Sequence, residues 1–422
     1  MEVIVNPSTC HGKVCIPPSK SMTHRAIICA SLANGTSILH NISLCDDTKA
    51  TIHAMETLGA NIQWQDKHTV LITGIKNVSL CSPTTIFCKE SGSTLRFLIP
   101  LCTLFQQQII FKGEGRLMKR PQHVYEQIFQ KQGISFQKDQ DRILINGTLQ
   151  ADHFHVKGNI SSQFITGLLF TLPLLQKDSI ITIEPPLESK SYIDMTIQIL
   201  EQFGIRINQI DDYNWKIKGG QIYQPCEYTI EGDYSQFAFF AVLSAINHDL
   251  YIEGIHEHSL QGDKVIIDIL KRSNVQIEKV HQGYIIKKSD IHPFEVDLSD
   301  CPDLGPILMV LATHAKGTSR IYNAARLRLK ESDRISAMEM ELKKIGIDIH
   351  SSIDEVIIKG AECYEGVRNF HSHFDHRIVM SLSVLATKAQ QSCTIQDAHA
   401  ISKSYPEFFH HLQNIGISIT IK

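Results

Sequence analysis

A large excess of charge of one sign is missing from this chain: 41 Lys and Arg stand against 44 Asp and Glu, a formal net charge of −3. Its surface as a whole is therefore not built to hold nucleic acid or an acidic membrane. Any anion site has to be a local concentration of Lys and Arg. None of the 11 cysteines belongs to a Cys-x-x-Cys pair or a regular framework, which fits reduced thiols in the cytoplasm better than disulfides or a zinc ribbon. Met1 to Pro7 carry no basic leader, and the longest apolar runs, near Gly167–Leu175 and Ala238–Ile246, are too short or interrupted to span a bilayer. A cytoplasmic protein that is not exported is expected. Gly113-Glu114-Gly115-Arg116 has glycines but neither a Walker pattern nor a dinucleotide fingerprint. No Gly-x-Ser-x-Gly elbow supports a covalent serine. The run His371-Ser372-His373-Phe374-Asp375-His376 lacks the helical His pair with Glu of a metalloprotease and adjoins Arg377. It reads as a loop of solvated histidines, as do the pairs His153/His155 and His410/His411, and no metal site is expected.

What is present is repetition. A length of 422 residues with 43% hydrophobic content allows two or three domains with sizeable cores. A helical stretch ending in Gly or Asn and followed by an alternating strand recurs as METLGANIQ, FQKQGISFQ, LEQFGIRIN, LKRSNVQIE, LKKIGIDIH and LQNIGISIT. The punctuating Gly59, Gly133, Gly204, Asn274, Gly346 and Gly416 stand 70 to 74 residues apart. Each suits the left-handed position that closes a helix. Each unit also opens an apolar helix with small or polar residues, near Ser21, Ser93, Ser162, Ser235, Asp303 and His376. Units of this kind cannot bury their faces singly, so three units per domain are expected, with residues 19–228 as one domain and 1–18 plus 229–422 as the other. The strand before Lys20 would then pair in the second domain, giving two crossings, near Pro18 and Tyr228.

The first of these helices organises the rest. Pro17-Pro18-Ser19-Lys20-Ser21-Met22-Thr23-His24-Arg25 places an extended entry and hydroxyl caps ahead of the apolar run 26–32. Helix N-termini attract anions, Lys20 adds a point charge and Arg25 a planar fork. Polar residues recur at the equivalent points of other units: Ser91-Gly92-Ser93-Thr94 with Arg96, Arg120, Ser161-Ser162-Gln163, Ser189-Lys190-Ser191-Tyr192, Asp303, Lys330-Glu331, Arg334, Asp375-His376-Arg377 and Lys403. Were both domains to present these ends to one cleft, its cations would be Lys20, Arg25, Arg96, Arg120, Lys330, Arg334, Arg377 and Lys403, and its ligand strongly anionic. Asp303 and Glu331 would be acids among those cations, suited to accept or donate a proton. Residue order does not separate their roles.

Ten stretches, PPSKSMTHRA, SGSTLRF, MKRPQHV, SSQFITGLL, SKSYIDMT, EGDYSQFAFF, PDLGPI, RLKESDRISAM, FDHRIVM and KSYPEFF, occur in this order, and with them the chain resembles the 5-enolpyruvylshikimate-3-phosphate synthase family along essentially its whole length. The resemblance implies a two-domain inverse α/β prism, three βαβαββ units per domain, with two interdomain crossings. It implies transfer of the enolpyruvyl group of phosphoenolpyruvate to the 5-hydroxyl of shikimate 3-phosphate in aromatic amino-acid biosynthesis, with these two small molecules as partners, no organic cofactor or metal, and a monomer. Shikimate 3-phosphate contacts would fall on Lys20, Ser21, Arg25, Ser161, Ser162, Gln163, Ser189, Tyr192, Asp303, Arg326 and Lys330. Those of phosphoenolpyruvate would fall on Lys20, Gly92, Arg120, Gln163, Arg334, Arg377 and Lys403. Asp303 matches the family's proton acceptor, and Glu331, with Lys20, the groups that handle the proton on the methylene carbon.

Two positions depart from the family's pattern: Glu90 and Arg326 stand where Asn is usual or frequent. A carboxylate beside an anion is unfavourable unless paired, so Glu90 is expected to turn away or to answer an Arg. A sister transferase acting on a UDP-amino sugar usually carries a Cys or Asp in the loop before the arginine matching Arg120, and residues 115–120 here hold neither. A non-catalytic anion-binding relative would gain nothing from Asp303 and Glu331.

Overall fold

The computed structural model describes residues 1–76, 83–361 and 369–422. Within them lie six four-stranded sheets of one design, in which a parallel pair occupies one edge and two antiparallel pairs complete the sheet. Strand faces alternate, as in His153–Lys157 and Arg142–Asn146, so each sheet has one apolar side to cover. The covers are helices: Lys20–Leu32, Gly92–Cys102, Ser162–Thr171, Tyr234–Ile246, Gly305–Thr313 and His376–Ala386. Every residue of the last two is buried. Helices apolar on all sides belong inside a core, which is where these sit.

The chain divides into two compact units, Pro18–Ile230 and Met1–Pro17 with Glu231–Lys422, each with its own continuous hydrophobic core. In the unit containing both termini, the three buried helices pack on one another pairwise. In the other, Gly167 lets the Ser162 and Gly92 helices close up. A β-carbon there would lie 2.5 Å from the Arg96 carbonyl and 2.3 Å from the Tyr125 hydroxyl.

Two strands pair within a unit other than that of the helix following them in sequence. Lys13–Cys15 precedes the Lys20 helix in sequence yet pairs in parallel with Leu250–Glu253. Glu227–Thr229 precedes the Tyr234 helix yet pairs in parallel with Thr36–His40. The chain therefore crosses twice, at Pro17/Pro18 and at Ile230/Glu231. All six punctuating residues, Gly59, Gly133, Gly204, Asn274, Gly346 and Gly416, have positive φ, from 69° to 103°, so the repeat is one of backbone geometry as well as of letters.

Three local expectations need correction. Asp303 does not open the buried helix: Pro302–Leu304 form a 3-10 turn and the helix begins at Gly305, because the Asp303 carboxylate is taken by cations instead of capping. The histidines of 371–376 are not a solvated set either. His376 is buried, and His373 bonds the buried Glu341. His411 is also engaged, its Nδ1 lying 2.5 Å from the Tyr405 hydroxyl. The nine described cysteines are free thiols; Cys81 and Cys363 lie outside the described residues. Among the described residues, no helix is long and apolar enough to cross a membrane.

Candidate active site

The candidate residues fall into two polar clusters, one in each unit, both built at N-termini of the buried helices. In the Pro18–Ile230 unit the caps are neutral. Ser19, Ser91 and Ser161 accept from the backbone N–H groups of Met22, Thr94 and Gln163 respectively, satisfying donors at each helix start without adding negative charge. Lys20, at the start of its helix, donates to Asp47 at 2.8 Å.

Arg25 lies one turn further into the same helix and is 2% exposed. Its guanidinium donates to Ser21 O at 2.8 Å, Thr196 Oγ1 at 2.8 Å, Tyr192 O at 3.1 Å and Thr166 Oγ1 at 3.5 Å. Phe97 and Tyr192 face it at 5.2 and 5.9 Å from the ring centroids. All of these partners are uncharged. Burial lowers its pKa to about 10, which leaves it cationic at neutral pH. The neighbouring His24 is buried, and burial together with Lys20 and Arg25 holds its pKa well below the usual histidine range. It is neutral and joins a hydroxyl chain through Thr51 to Thr94, each step 2.7 Å. Ser189, in the left-handed region at φ 56°, starts the Lys190–Gln202 helix that supplies Tyr192 O and Thr196 to Arg25.

The same unit holds two further arginines among the candidate residues. Arg96 donates to Gln163 Oε1 at 2.8 Å, to Ser161 Oγ at 3.5 Å and to Pro121 O at 3.1 Å, and stacks over Phe164. Gln163 in turn donates to Ser93 Oγ at 3.1 Å. Arg120 reaches the backbone of Gly92 so closely that a β-carbon there would sit 2.8 Å from Arg120 Nη1 and 3.5 Å from Gln163 Oε1. Ser162 is buried at the first position of its helix. Glu90 lies over Gly115, whose β-carbon would be 2.7 Å from its carboxylate.

In the unit containing both termini the chemistry is the reverse. Caps at two of its buried helices are Asp233 and Asp375, and carboxylates surround the cations. Asp303 accepts from Arg334 Nη1 and Arg377 Nη2 at 3.0 Å and from Lys330 Nζ at 3.2 Å, while its backbone carbonyl accepts from Arg377 Nη1 at 3.1 Å. Arg334, 1% exposed, donates four hydrogen bonds, all to carboxylates. They run to Asp375 Oδ2 at 2.8 Å and Oδ1 at 3.3 Å, to Glu331 Oε2 at 2.7 Å and to Asp303. Asp375 also accepts from Ser332 Oγ and from the Arg377 backbone N–H. Burial alone would raise the Asp303 pKa. Arg377, Lys330 and Arg334 outweigh it and hold the carboxyl well below the usual range. Asp375 is likewise lowered, burial being outweighed chiefly by Arg334. Burial lowers the Lys330 ammonium despite Asp303.

Arg326 donates weakly to Ser299 O at 3.5 Å. Lys403 donates to Phe374 O at 2.8 Å, one residue before Asp375. The metal reading of 371–376 finds a different use for its residues: His371 faces Asp397 and His373 faces Glu341, and among the described residues no group of His, Cys, Asp and Glu is arranged to hold a metal.

Reading by sequence pattern overlooked several partners. Asp47, which answers Lys20, opens the Asp46–Thr57 helix, and an acidic pair at a helix start was the available signal. Thr166 and Thr196 gave no signal, being hydroxyls on the buried faces of their helices. Asp263 was missed as well. It is buried against Ser235, which donates to its Oδ2, while Oδ1 has no partner. Burial and the nearby Asp303 push its carboxyl up to about 7.

Comparison with known proteins adds a second line of observation. Residues 4–412 match the family model of EPSP synthase (3-phosphoshikimate 1-carboxyvinyltransferase). A 3-phosphoshikimate 1-carboxyvinyltransferase of Clostridium botulinum (strain Alaska E43 / Type E3) is 44% identical over 421 residues, covering 98% of this chain and 96% of that relative. One of Clostridium kluyveri is 42% identical over 416 residues, covering 98% and 97%. Among solved structures, an EPSP synthase of Acinetobacter baumannii superimposes with a TM-score of 0.82 at 24% identity, over 100% of this chain and 99% of the other. The enolpyruvyl transferase NikO of Streptomyces tendae does so at 0.80 and 14%, over 99% and 98%. These likenesses agree with the two-unit α/β fold.

Proposed function

The chain belongs to the EPSP synthase (3-phosphoshikimate 1-carboxyvinyltransferase) family, and on that premise we propose how its two polar clusters divide the work of the reaction. It is a transferase that moves the enolpyruvyl group of phosphoenolpyruvate to the 5-hydroxyl of shikimate 3-phosphate, releasing phosphate, in aromatic amino-acid biosynthesis. The enzyme acts as a monomer in the cytoplasm. Presence of both residue sets in one chain and the free thiols of the nine described cysteines support this reading.

The two substrates bring two phosphates and two carboxylates together, roughly five to six negative charges. Shikimate 3-phosphate is held by Lys20, Ser21, Arg25, Ser161, Ser162, Gln163, Ser189 and Tyr192, joined by Asp303, Arg326 and Lys330. Phosphoenolpyruvate is held by Lys20, Gly92 at its backbone, Arg120, Gln163, Arg334, Arg377 and Lys403. Neutral caps and neutrally bonded Arg25 leave a net positive field in the first set, the condition for drawing in phosphate.

Asp303 is the base that accepts the 5-hydroxyl proton. Its environment supports this use through a conditional weakness. With three cations on it, the carboxylate is a poor base. Anionic ligands that draw the charge of Lys330, Arg334 and Arg377 towards themselves raise its proton affinity when a substrate is present to be deprotonated. Oxygen of the hydroxyl then bonds to C2 of phosphoenolpyruvate as C3 takes a proton. Loss of that proton from C3 and expulsion of phosphate complete the exchange. Glu331, anchored on Arg334 at 2.7 Å, gives and retrieves the C3 proton, with Lys20 as its cationic counterpart. The observation that carries the assignment is the convergence of Lys330, Arg334 and Arg377 on one carboxylate.

The test is Asp303→Asn. Turnover, read as phosphate released from phosphoenolpyruvate only when shikimate 3-phosphate is present, should fall at least about a hundredfold. Equilibrium binding of shikimate 3-phosphate should persist. Near-normal turnover in this variant removes Asp303 from the mechanism.

A further inference from the structure

The turn that carries Asp375 and bonds Lys403 is built from unsuitable residues. His373 and Phe374 have φ of 52° and 56°, and the Asp375 N–H donates to Ser372 O at 3.0 Å. Positive φ at both central positions of a closed four-residue turn is the pattern of type I′, whose preferred occupants are Asn-Gly. Here a His and a Phe stand in those seats, and Phe374 is 54% exposed with edge contacts to the His371 and His399 rings, so its packing alone gives little support to the conformation. Something else has to hold the turn.

Glu341 meets that requirement. It lies on the Arg334–Lys343 helix with its side chain fully buried. One carboxylate oxygen accepts from His373 Nε2 at 3.0 Å, the other from the His371 backbone N–H at 3.0 Å and from Lys344 Nζ at 2.5 Å. The His373 backbone N–H is spent on His371 Nδ1 at 2.9 Å, and the Phe374 N–H on Ser372 Oγ. On the far side of the turn, Phe374 O receives Lys403 and Asp375 receives Arg334.

We propose that Glu341 is a positioning residue for phosphoenolpyruvate: by clamping His371 and His373 it keeps the His373-Phe374 turn left-handed, and thereby sets Lys403 and Asp375 in place. This rests on the reading of Lys403 as a phosphoenolpyruvate contact. The helix that begins with Arg334 thus serves one substrate at both ends. Its first residue binds Asp375 directly, and Glu341, two turns on, governs the turn from which Asp375 is presented. Glu341 touches neither substrate.

The experiment pairs Glu341→Gln with relief of the turn. An amide carries no charge and has one acceptor oxygen where the carboxylate has two, so Glu341→Gln loses the charge-assisted bond to Lys344 and can keep His373 only by donating to its ring, which weakens the clamp. In the native turn it should raise KM for phosphoenolpyruvate about tenfold, as small misplacements of binding groups do, with kcat and shikimate 3-phosphate binding within about twofold. In a background carrying His373→Asn with Phe374→Gly, whose turn needs no clamp, the same substitution should change that KM less than about twofold. An equal rise in both backgrounds, an equal rise for both substrates, or a fall in kcat alone overturns the proposal. If Glu341→Gln does not fold with the native turn, the triple variant decides: wild-type-like KM supports the clamp, and a raised KM overturns it. Lys403→Met separates the premise from the inference. Should it leave KM for phosphoenolpyruvate unchanged, the reading of Lys403 falls and takes this proposal with it. Should it raise KM while Glu341→Gln does not, only the role of Glu341 falls.

Discussion

Arg25 and Arg334 are the same side chain put to opposite uses. Both are buried to within 2% of completely, and each donates four hydrogen bonds near a buried-helix N-terminus. Arg25 gives all four to hydroxyls and carbonyls, Arg334 all four to carboxylates. Helix caps repeat the contrast, with Ser19, Ser91 and Ser161 in one unit and Asp233 and Asp375 in the other. A charge bonded to neutral dipoles keeps its field for an incoming anion. One bonded to carboxylates instead tunes their protons, because each carboxylate's affinity for a proton depends on how strongly the cation is engaged elsewhere. One repeat pattern thus holds a buried arginine among neutral groups in one unit and among carboxylates in the other, with Ser caps answered by Asp caps and Thr partners by Asp or Glu.

The largest test of this contrast is a pair of deletions. Arg334→Met leaves Asp375 short of its main partner, and Glu331 and Asp303 short of one cation, in a buried site, and should cost about 3–5 kcal/mol of unfolding free energy. Arg25→Met orphans only neutral acceptors and should cost about 1–3 kcal/mol. Urea unfolding of the two variants measures both, and equal losses would break the comparison.

A smaller effect is expected at Gly92→Ala, where the new β-carbon would lie 2.8 Å from Arg120 Nη1. The guanidinium is the far end of a flexible side chain and can move, so the fold should tolerate the change. Steady-state kinetics should show KM for phosphoenolpyruvate rising about tenfold while shikimate 3-phosphate binding is retained. A rise for both substrates alike would show that the contact is not specific to one.

The last effect, read through pH, concerns Asp263, the buried acid whose neighbours include Asp303, Asp233, Arg377 and the Ser235 hydroxyl. Its folded pKa of about 7 lies above the unfolded value near 4, so the folded state binds the proton more tightly. Its contribution is complete at pH below about 4 and is lost as pH rises towards 7. Asp263→Asn should remove this slope, and thermal unfolding at pH 5 and pH 8 should show the variant gaining on the wild type at the higher pH. Asp303 and Asp375, with lowered pKa values, have the opposite sign. Their stabilisation is present above the ordinary carboxylate range and is lost only as pH falls through their depressed values. A variant that lost ground at pH 8 would place Asp263 among the paired carboxylates after all.

Much of this was legible in residue order. Six left-handed helix ends 70 to 74 residues apart, hydroxyls before apolar helices, and basic residues one turn inside them are local features, and the φ values and serine caps agree with them. The pairing of Lys13–Cys15 with Leu250–Glu253, far from the helix that follows it, fits the same counting, whereas that of Glu227–Thr229 with Thr36–His40 is seen only in the structure. The failures are equally physical. Asp303 was misplaced at a helix start because its carboxylate is claimed by residues 27, 31 and 74 positions away. The histidines of 371–376 were read as solvated because nothing near them in sequence announces Glu341, about 30 positions earlier.

Periodicity, caps and breakers act over a few residues, so the chain order alone settles that there are six like units, roughly where most of their helices begin, and which charges stand near those starts. Partner choice is another matter. Whether an arginine meets Thr196 or Asp375, 171 residues beyond Arg25 or 41 beyond Arg334, is decided when helices from different repeats close on one core. In that low-dielectric interior the identity of the partner sets whether a buried charge attracts a ligand or governs a proton.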